Sequence, residues 1–305
     1  MEEREGFVSN NEHGDIEQLS NEQRVAYYGA LFAIAAHDDE IQREELDLIY
    51  EMIDTDGLTD QDRRLLYAYA IEPPILQDCL QAIRNAPESI RYGLMLNLVE
   101  VAVADYLLSD LEQEALTGAQ RALGVNDEQR IAMTEYAEKM RYIRERGIDD
   151  NHAADIAKSA VSGMTAVGIP IAAVVYSGAV VGLSAAGITS GLAALGLGLG
   201  MIPGIGVAIL LGAGIFIGLN TLLDTGNKRK REVHRQERER KAQLATENLQ
   251  ETINYLIDRT TLLQQDAADA KANKEAIQRM NERLTKLQQV LVRRREASED
   301  LAQGA

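Results

Sequence analysis

The chain has 305 residues, 46% of them hydrophobic and 26% charged, and a net charge of −17. That length allows two domains, or one domain with appendages. The acidity excludes a nucleic-acid binder on electrostatic grounds, and the single cysteine, Cys79, excludes an intrachain disulfide and fits a reducing compartment.

The charge is unevenly spread. Residues 1–150 hold 33 Asp and Glu against 13 Lys and Arg, whereas residues 151–305 hold 15 against 18. Residues 1–20 are polar and acidic, lack the apolar stretch of a signal peptide, and read as a disordered tail. The remainder divides into an acidic helical domain (21–148), a Gly/Ala-rich apolar hairpin (158–225) and a basic-to-mixed-charge helical region (227–300). No strand pattern appears, so the expected fold is all-α.

In the first domain, helices begin at recognisable capping boxes. In "SNEQ" (Ser20 to Gln23), "TDQD" (Thr59 to Asp62) and "SDLE" (Ser109 to Glu112) a hydroxyl is followed three residues later by a Gln or an acid. Gly57 and Gly124 sit where helices stop, and Pro73, Pro74 and Pro87 break the run between. Six or seven short helices in one bundle are expected.

Two stretches of this domain repeat a pattern. "LFAIAAHDDEIQREELDLI" (Leu31 to Ile49) and "LNLVEVAVADYLLSDLEQEAL" (Leu96 to Leu116) each carry an Ala-rich apolar helix ending in Asp, with a Glu seven positions on. The pairs are Asp38 with Glu45 and Asp105 with Glu112. Seven residues accommodate a helix end, a turn and a new N-terminus, and the Glu then lies in the first helical turn, where the dipole favours a negative charge. Capping alone accounts for these residues; a metal site is the other reading. The pattern resembles the TerB-like family of tellurite-resistance helical domains over about residues 24–146, although Asp39 and Tyr106 replace the family's Gly after the Asp. The resemblance implies an all-helical stress-response domain whose acidic residues, here Asp38, Glu45, Asp105 and Glu112, take a divalent cation such as Ca or Mg. "DTDGLTDQD" (Asp54 to Asp62) also invites a calcium reading. It fails the EF-hand template, because placing Gly57 at the sixth position puts Met52 first and Arg63 twelfth.

Residues 159–223 contain no Asp, Glu, Lys, Arg or His. A spanning helix needs about 20 apolar residues, so the run predicts a transmembrane helical hairpin, at about 160–184 and 203–224, kinked at Pro170. Glycines at four-residue spacing form a glycine zipper for helix packing in lipid: Gly178 and Gly182; Gly187 and Gly191; Gly196, Gly200 and Gly204; Gly214 and Gly218. In "GLGLGMIPGIG" (Gly196 to Gly206) a phosphate-cradling loop is unsupported, since no Lys lies between Lys158 and Lys228. The basic stretch from Asn227 to Lys241 predicts a cytoplasmic flank, with Lys228, Arg229, Lys230 and Arg231 contacting anionic lipid. Both termini are expected in the cytoplasm of a bacterial inner-membrane protein, or of one that is soluble before activation. The composition is similar to the hairpins of pore-forming colicins and apolipoprotein L-type proteins.

Residues 228–300 read as one long helix or a helical hairpin. Leu249, Ile253, Leu256, Thr260 and Leu263 follow coiled-coil steps, as do Ile277, Met280, Leu284, Leu287 and Leu291. The blocks are out of phase across "DAADAKANK" (Asp266 to Lys274), which a stutter or a turn resolves. Either a coiled coil or packing back on the acidic bundle is expected, and the charge contrast favours contact between the two.

No catalytic constellation is visible. His13, His37, His152 and His234 are scattered, and Cys79 has no His or Cys beside it. The leading expectation is a non-enzymatic, membrane-associated stress or antiviral-defence protein. In it a TerB-like sensor or scaffold controls a self-associating, pore-forming hairpin, with the bilayer and a homo-oligomer as partners. The rivals are a membrane-anchored scaffold recruiting protein partners, and a soluble helical protein responsive to divalent metal.

Overall fold

The computed structural model describes residues 19–37, 40–105, 108–146, 150–170, 228–265 and 270–303. Among the described residues there are ten helices and no strand, so the all-α expectation holds. The helices are α1 (Asn21–Ala35), α2 (Arg43–Met52), α3 (Asp60–Tyr69), α4 (Leu76–Ile83), α5 (Glu88–Ala102), α6 (Asp110–Leu123), α7 (Asp127–Arg146), α8 (Asp150–Ala166), α9 (Lys228–Gln265) and α10 (Ala270–Gln303).

The two Ala-rich repeats become the centre of the bundle. α1 and α5 are apolar around most of their circumference and pack against each other, as expected for helices enclosed on all sides. Tyr27, Leu31, Phe32, Leu94, Leu96 and Val99 are all fully buried. A buried polar link joins them: Asn97 Nδ2 donates to the Tyr27 hydroxyl at 2.9 Å. Around this pair lie α3, α4, α6 and α7, each with one buried face. α1 and α4 approach closely because residue 29 is glycine. A Cβ there would meet Pro74 Cγ at 3.0 Å, Tyr69 Cε2 at 3.1 Å and Cys79 Sγ at 3.3 Å.

The three expected capping boxes form at Ser20, Thr59 and Ser109. Two further boxes form, at Gln42 with Glu45 and at Asn126, whose N–H donates to Gln129 Oε1 at 3.0 Å while the Gln129 N–H donates to Asn126 Oδ1 at 2.9 Å. Gly124 ends α6 with φ 73°, and the Val125 N–H returns to the Gln120 carbonyl at 3.0 Å, a Schellman closure. Gly57 also has a positive φ, but it lies five residues beyond α2, in the loop before α3.

Gly118 is different. It lies inside α6, and a Cβ there would meet nothing within 4 Å. Gly118→Ala is therefore expected to raise unfolding stability by about 1 kcal/mol, the helix-propensity difference. A chemical-denaturation midpoint that fails to rise would contradict this.

The membrane, transmembrane and pore-forming expectation is corrected. Among the described residues no helix is long and apolar enough to cross a membrane. The expected first arm, 160–184, breaks at its start. α8 ends at Ala166, Gly168 follows with φ 80°, and the N–H groups of Gly168 and Ile169 return to the carbonyls of Thr165 and Met164 at 3.1 Å each. A left-handed glycine followed by Pro170 is a helix stop, so Pro170 lies beyond a helix rather than kinking one. The absence of charge after Lys158 predicts an apolar arm from about residue 160. Instead Ala160, Val161 and Met164 are buried and Ser159, Ser162 and Thr165 are exposed, the pattern of a surface helix packed on α7. The second expected arm and Gly178, Gly182, Gly187, Gly191, Gly196, Gly200, Gly204, Gly214 and Gly218 lie outside the described residues.

At the C-terminal end the turn reading and the packing reading both hold. α9 and α10 are antiparallel, as shown by Thr260 against Met280 and by Gln250 against Arg295. The pair docks on α2 and α3. Leu249, Ile253, Leu256, Leu284, Leu287 and Leu291 belong to the same buried core as the bundle.

Candidate functional site

The most specific chemistry in the molecule lies where the C-terminal hairpin meets the acidic bundle. The apolar stripes of α9 and α10 bring the hairpin to the bundle, and a row of polar contacts along α2 and its flanking loops determines where it sits.

At the centre is Arg294, 2% exposed, on α10. Its Nε donates to Asp47 Oδ1 at 2.7 Å, its Nη2 donates to the Asp47 carbonyl at 2.7 Å, and Nη2 also lies 2.9 Å from Glu51 Oε1. Asp47 and Glu51 are four residues apart on α2, so both carboxylates share one helix face. Burial alone would push the Arg294 guanidinium down, but these two carboxylates outweigh it and hold its pKa above the ordinary value. Such a buried group adds little net stability over an apolar substitute, yet breaking one side of it is costly. Its main consequence here is register: only one placement of α10 on α2 satisfies all three charges.

Toward the N-terminus of α2, Lys286 Nζ reaches Glu40 Oε1 at 2.9 Å and the Ile41 carbonyl at 2.8 Å, while Arg283 donates to the same carbonyl at 2.9 Å. The hydrogen bond and charge of Lys286 hold the Glu40 carboxyl below its ordinary range. A depressed carboxylate contributes at neutral pH, and that contribution is lost as pH falls through the lowered value. Burial pushes Arg283 down.

Beyond the C-terminus of α2, the "DTDG" loop faces α9. Arg24 Nη2 holds the Asp54 carbonyl at 2.8 Å, and the Tyr28 hydroxyl accepts the Asp54 N–H at 3.2 Å. Asp54 Oδ1 accepts the Asp56 N–H at 3.0 Å. The loop thus presents two carboxylates to Arg240, which pairs with Asp54 at 3.0 Å and with Asp56. The loop that resembled a calcium site by composition holds a guanidinium. Next to it, Thr55 Oγ1 donates to Asn248 Oδ1 at 3.0 Å, and the Tyr50 hydroxyl donates to Thr252 Oγ1 at 2.9 Å. Burial pushes the Tyr50 phenol well up, so it stays a donor. Beside these contacts a cleft of about 660 Å³ opens between α3 and α9, lined by Asp60, Arg63, Tyr67, Glu251 and Tyr255 among others.

These contacts differ in weight. The pairs of Arg240 and Lys286 are partly exposed and contribute about 0–1 kcal/mol each, less in salt. Arg294, Asn248 and Thr252 are at least nine-tenths buried, and an unmatched polar group there costs about 1–3 kcal/mol.

The acidic residues expected to bind metal are distributed differently. Glu45 and Glu112 are buried in the first turns of α2 and α6 and cap them: Glu45 Oε2 accepts the Gln42 N–H at 2.6 Å, and Glu112 Oε2 accepts the Ser109 N–H at 2.8 Å. Asp105 is half-buried just after α5, and Asp38 lies outside the described residues. Among the described residues no group of three or more His, Cys, Asp or Glu is placed to hold a metal ion. Of the lipid-contact candidates, Lys228, Arg229, Lys230 and Arg231 open α9, and their side chains lie outside the described ones. Cys79 is buried beside Gly29, and desolvation pushes its thiol up to about 11, so it remains protonated at neutral pH.

The fold and interface define a class: an acidic all-α bundle engaged by a basic C-terminal helical hairpin of the same chain. Comparison with protein-family models, curated proteins and solved structures gave no match. The resemblance to TerB-like domains therefore rests on the residue pattern alone.

Proposed function

We propose that this protein is a non-enzymatic regulatory scaffold in which the acidic bundle is a receptor and the C-terminal hairpin its built-in ligand. Docking of the hairpin ties both ends of the apolar stretch 171–227, whose one charged residue is Asp224, to one core, and release frees one end. The observation that carries this reading is the buried Arg294 held by Asp47 and Glu51. A purely structural contact would be served as well by apolar residues, whereas a buried ion group specifies one partner and one register. The TerB-like pattern supports a setting in stress response, as a sensor or scaffold.

The test is to measure the docked distance and to break it by charge. Spin labels on α3 at Arg64 and on α9 at Asp258, in a Cys79→Ala background, are expected to give one short distance by electron-electron resonance. The double variant Arg294→Glu and Lys286→Glu is expected to lengthen and broaden that distance while the bundle keeps its helical signal. It should also speed chymotryptic cleavage within 171–227 by about tenfold or more, the factor that corresponds to losing at least about 1.4 kcal/mol of docking. If the hairpin detaches and cleavage of that stretch does not change, docking does not control it and the reading fails.

A further inference from the structure

A second surface lies away from the hairpin. A groove of about 560 Å³ runs between the end of α1, the approach to α4 and one face of α6, and none of its lining residues belongs to α9 or α10. Its floor is small and apolar, including Ala36, Ala115 and Ala119. One wall is Pro73, Pro74 and Ile75, and Ile75 is 69% exposed, the highest value among the exposed large hydrophobic residues described. Leu111, 51% exposed, lies one turn before Ala115 on α6, next to the groove rather than in its lining. An exposed apolar side chain at the edge of a small-residue groove marks an interaction site more than a scattered one does.

Gly118 adds an independent sign. It lines the groove from inside α6, where glycine weakens a helix, yet no neighbour within 4 Å excludes a Cβ. Among the described residues none occupies the place of the missing side chain. What it leaves is space for another backbone to come close, at the short end of helix–helix separations.

The charges around the groove select the partner. Glu114 lines the groove together with His37; the flanking segments 72–80 and 110–119 add Glu72, Asp78, Asp110 and Glu112 and no Lys or Arg, and all of these acids except Glu112 are exposed. A second copy of this acidic bundle would bring like charge to like charge. α10 shows the type of ligand that an acidic helical face of this protein accepts: an apolar stripe flanked by Arg and Lys.

We propose that the groove between α4 and α6 docks a basic amphipathic helix of a partner protein. Its small apolar face lies over Ala36, Ala115 and Gly118 beside Ile75, and its cationic flank meets Glu114 in the groove and Glu72, Asp78 and Asp110 on the flanking segments. This is helix-in-groove recognition, and it does not depend on whether the hairpin is releasable.

The probe is a fluorescent peptide of about 18 residues, five helical turns, made of Leu, Ala and Lys with the apolar residues at helical spacing. Its counterpart carries Glu in place of Lys. Both are titrated into the full chain by anisotropy. The Lys peptide is expected to bind wild type and the Glu peptide not to bind. Gly118→Leu fills the groove, and Glu114→Lys reverses part of its rim. Each is expected to weaken binding by about tenfold, with a thermal melt no lower than that of wild type. No binding of the Lys peptide, or equal binding to wild type and Gly118→Leu, overturns the proposal, the latter because contact is then elsewhere on the acidic surface. Self-association of wild type that Gly118→Leu abolishes also overturns it, by giving the groove to a second copy. If Gly118→Leu melts early, Glu114→Lys alone decides, since its side chain is exposed.

Discussion

Arg294→Ala is expected to destabilise the docked hairpin by about 3–5 kcal/mol, because it removes the guanidinium that Asp47 and Glu51 share at a buried site and leaves Asp47 with the exposed Arg293 at 4.0 Å. The Asp47 carbonyl loses a donor in the same step. The large effect comes from what is left behind rather than from the worth of the bond. Replacing all three residues, with Arg294→Met, Asp47→Leu and Glu51→Leu, is therefore expected to return stability to the wild-type level or somewhat above it. Urea unfolding and amide exchange along α9 and α10 measure both. Should Arg294→Ala lie within about 0.5 kcal/mol of wild type, the range of an ordinary surface substitution, the buried group does not hold the hairpin in place.

Leu287→Ala carries the second large effect, about 2–5 kcal/mol. Leu287 is fully buried on α10, in the core that joins the hairpin to α2, and no side chain nearby is free to fill the space without distorting an interface already fixed by Arg283, Lys286 and Arg294. Where the loss appears matters as much as its size. If the hairpin docks as its own cooperative unit, faster exchange is confined to α9, α10 and the face of α2, while α1 and α5 keep their protection. If every helix loosens together, hairpin and bundle fold as one unit and release of the hairpin is not available to the native protein. Combined with Arg294→Ala the two losses should not add, because both substitutions open the same contact.

Several parts of this architecture were legible in the residues because their causes are local. Ser20, Thr59 and Ser109 start helices through a hydroxyl and a partner three residues on, which needs no tertiary information. Gly124 stops α6 for the same reason. The stripes of Leu249, Ile253 and Leu256 and of Leu284, Leu287 and Leu291 indicated which faces would be covered, and the charge contrast between the acidic first half and the basic-to-mixed C-terminal region favoured the bundle over a coiled coil without deciding between them. The end of α8 was also local, in Gly168 and Pro170, but the absence of charge after Lys158 concealed it. A count of charged residues does not separate an apolar helix from one whose exposed face is Ser and Thr.

The partners of the acids were not legible, and the reason is distance along the chain. Glu45 and Glu112 fitted both a cap and a metal ligand, since both roles ask for a carboxylate in a first turn. Asp54 and Asp56 had the composition of a cation loop, and what they hold is Arg240, 186 and 184 residues away. Asp47 and Glu51 carry no signal beyond helical spacing. They acquire a role only when α10 brings Arg294 to them across 247 and 243 positions, a pairing that depends on the packing of two long helices and on no local rule.

The sequence by itself determined an all-helical protein, three of its helix starts, its two Ala-rich apolar helices and the charge contrast between its two halves. These follow from periodicity, capping and composition, which act within a few turns of chain. Only the tertiary structure decided that the hairpin turns back onto α2, that one buried arginine sets its register, and that a glycine in α6 leaves an acidic-rimmed groove open. Those features arise where segments far apart in the chain are desolvated together, and the free energy of a buried charge or an unfilled space depends on which groups end up beside it.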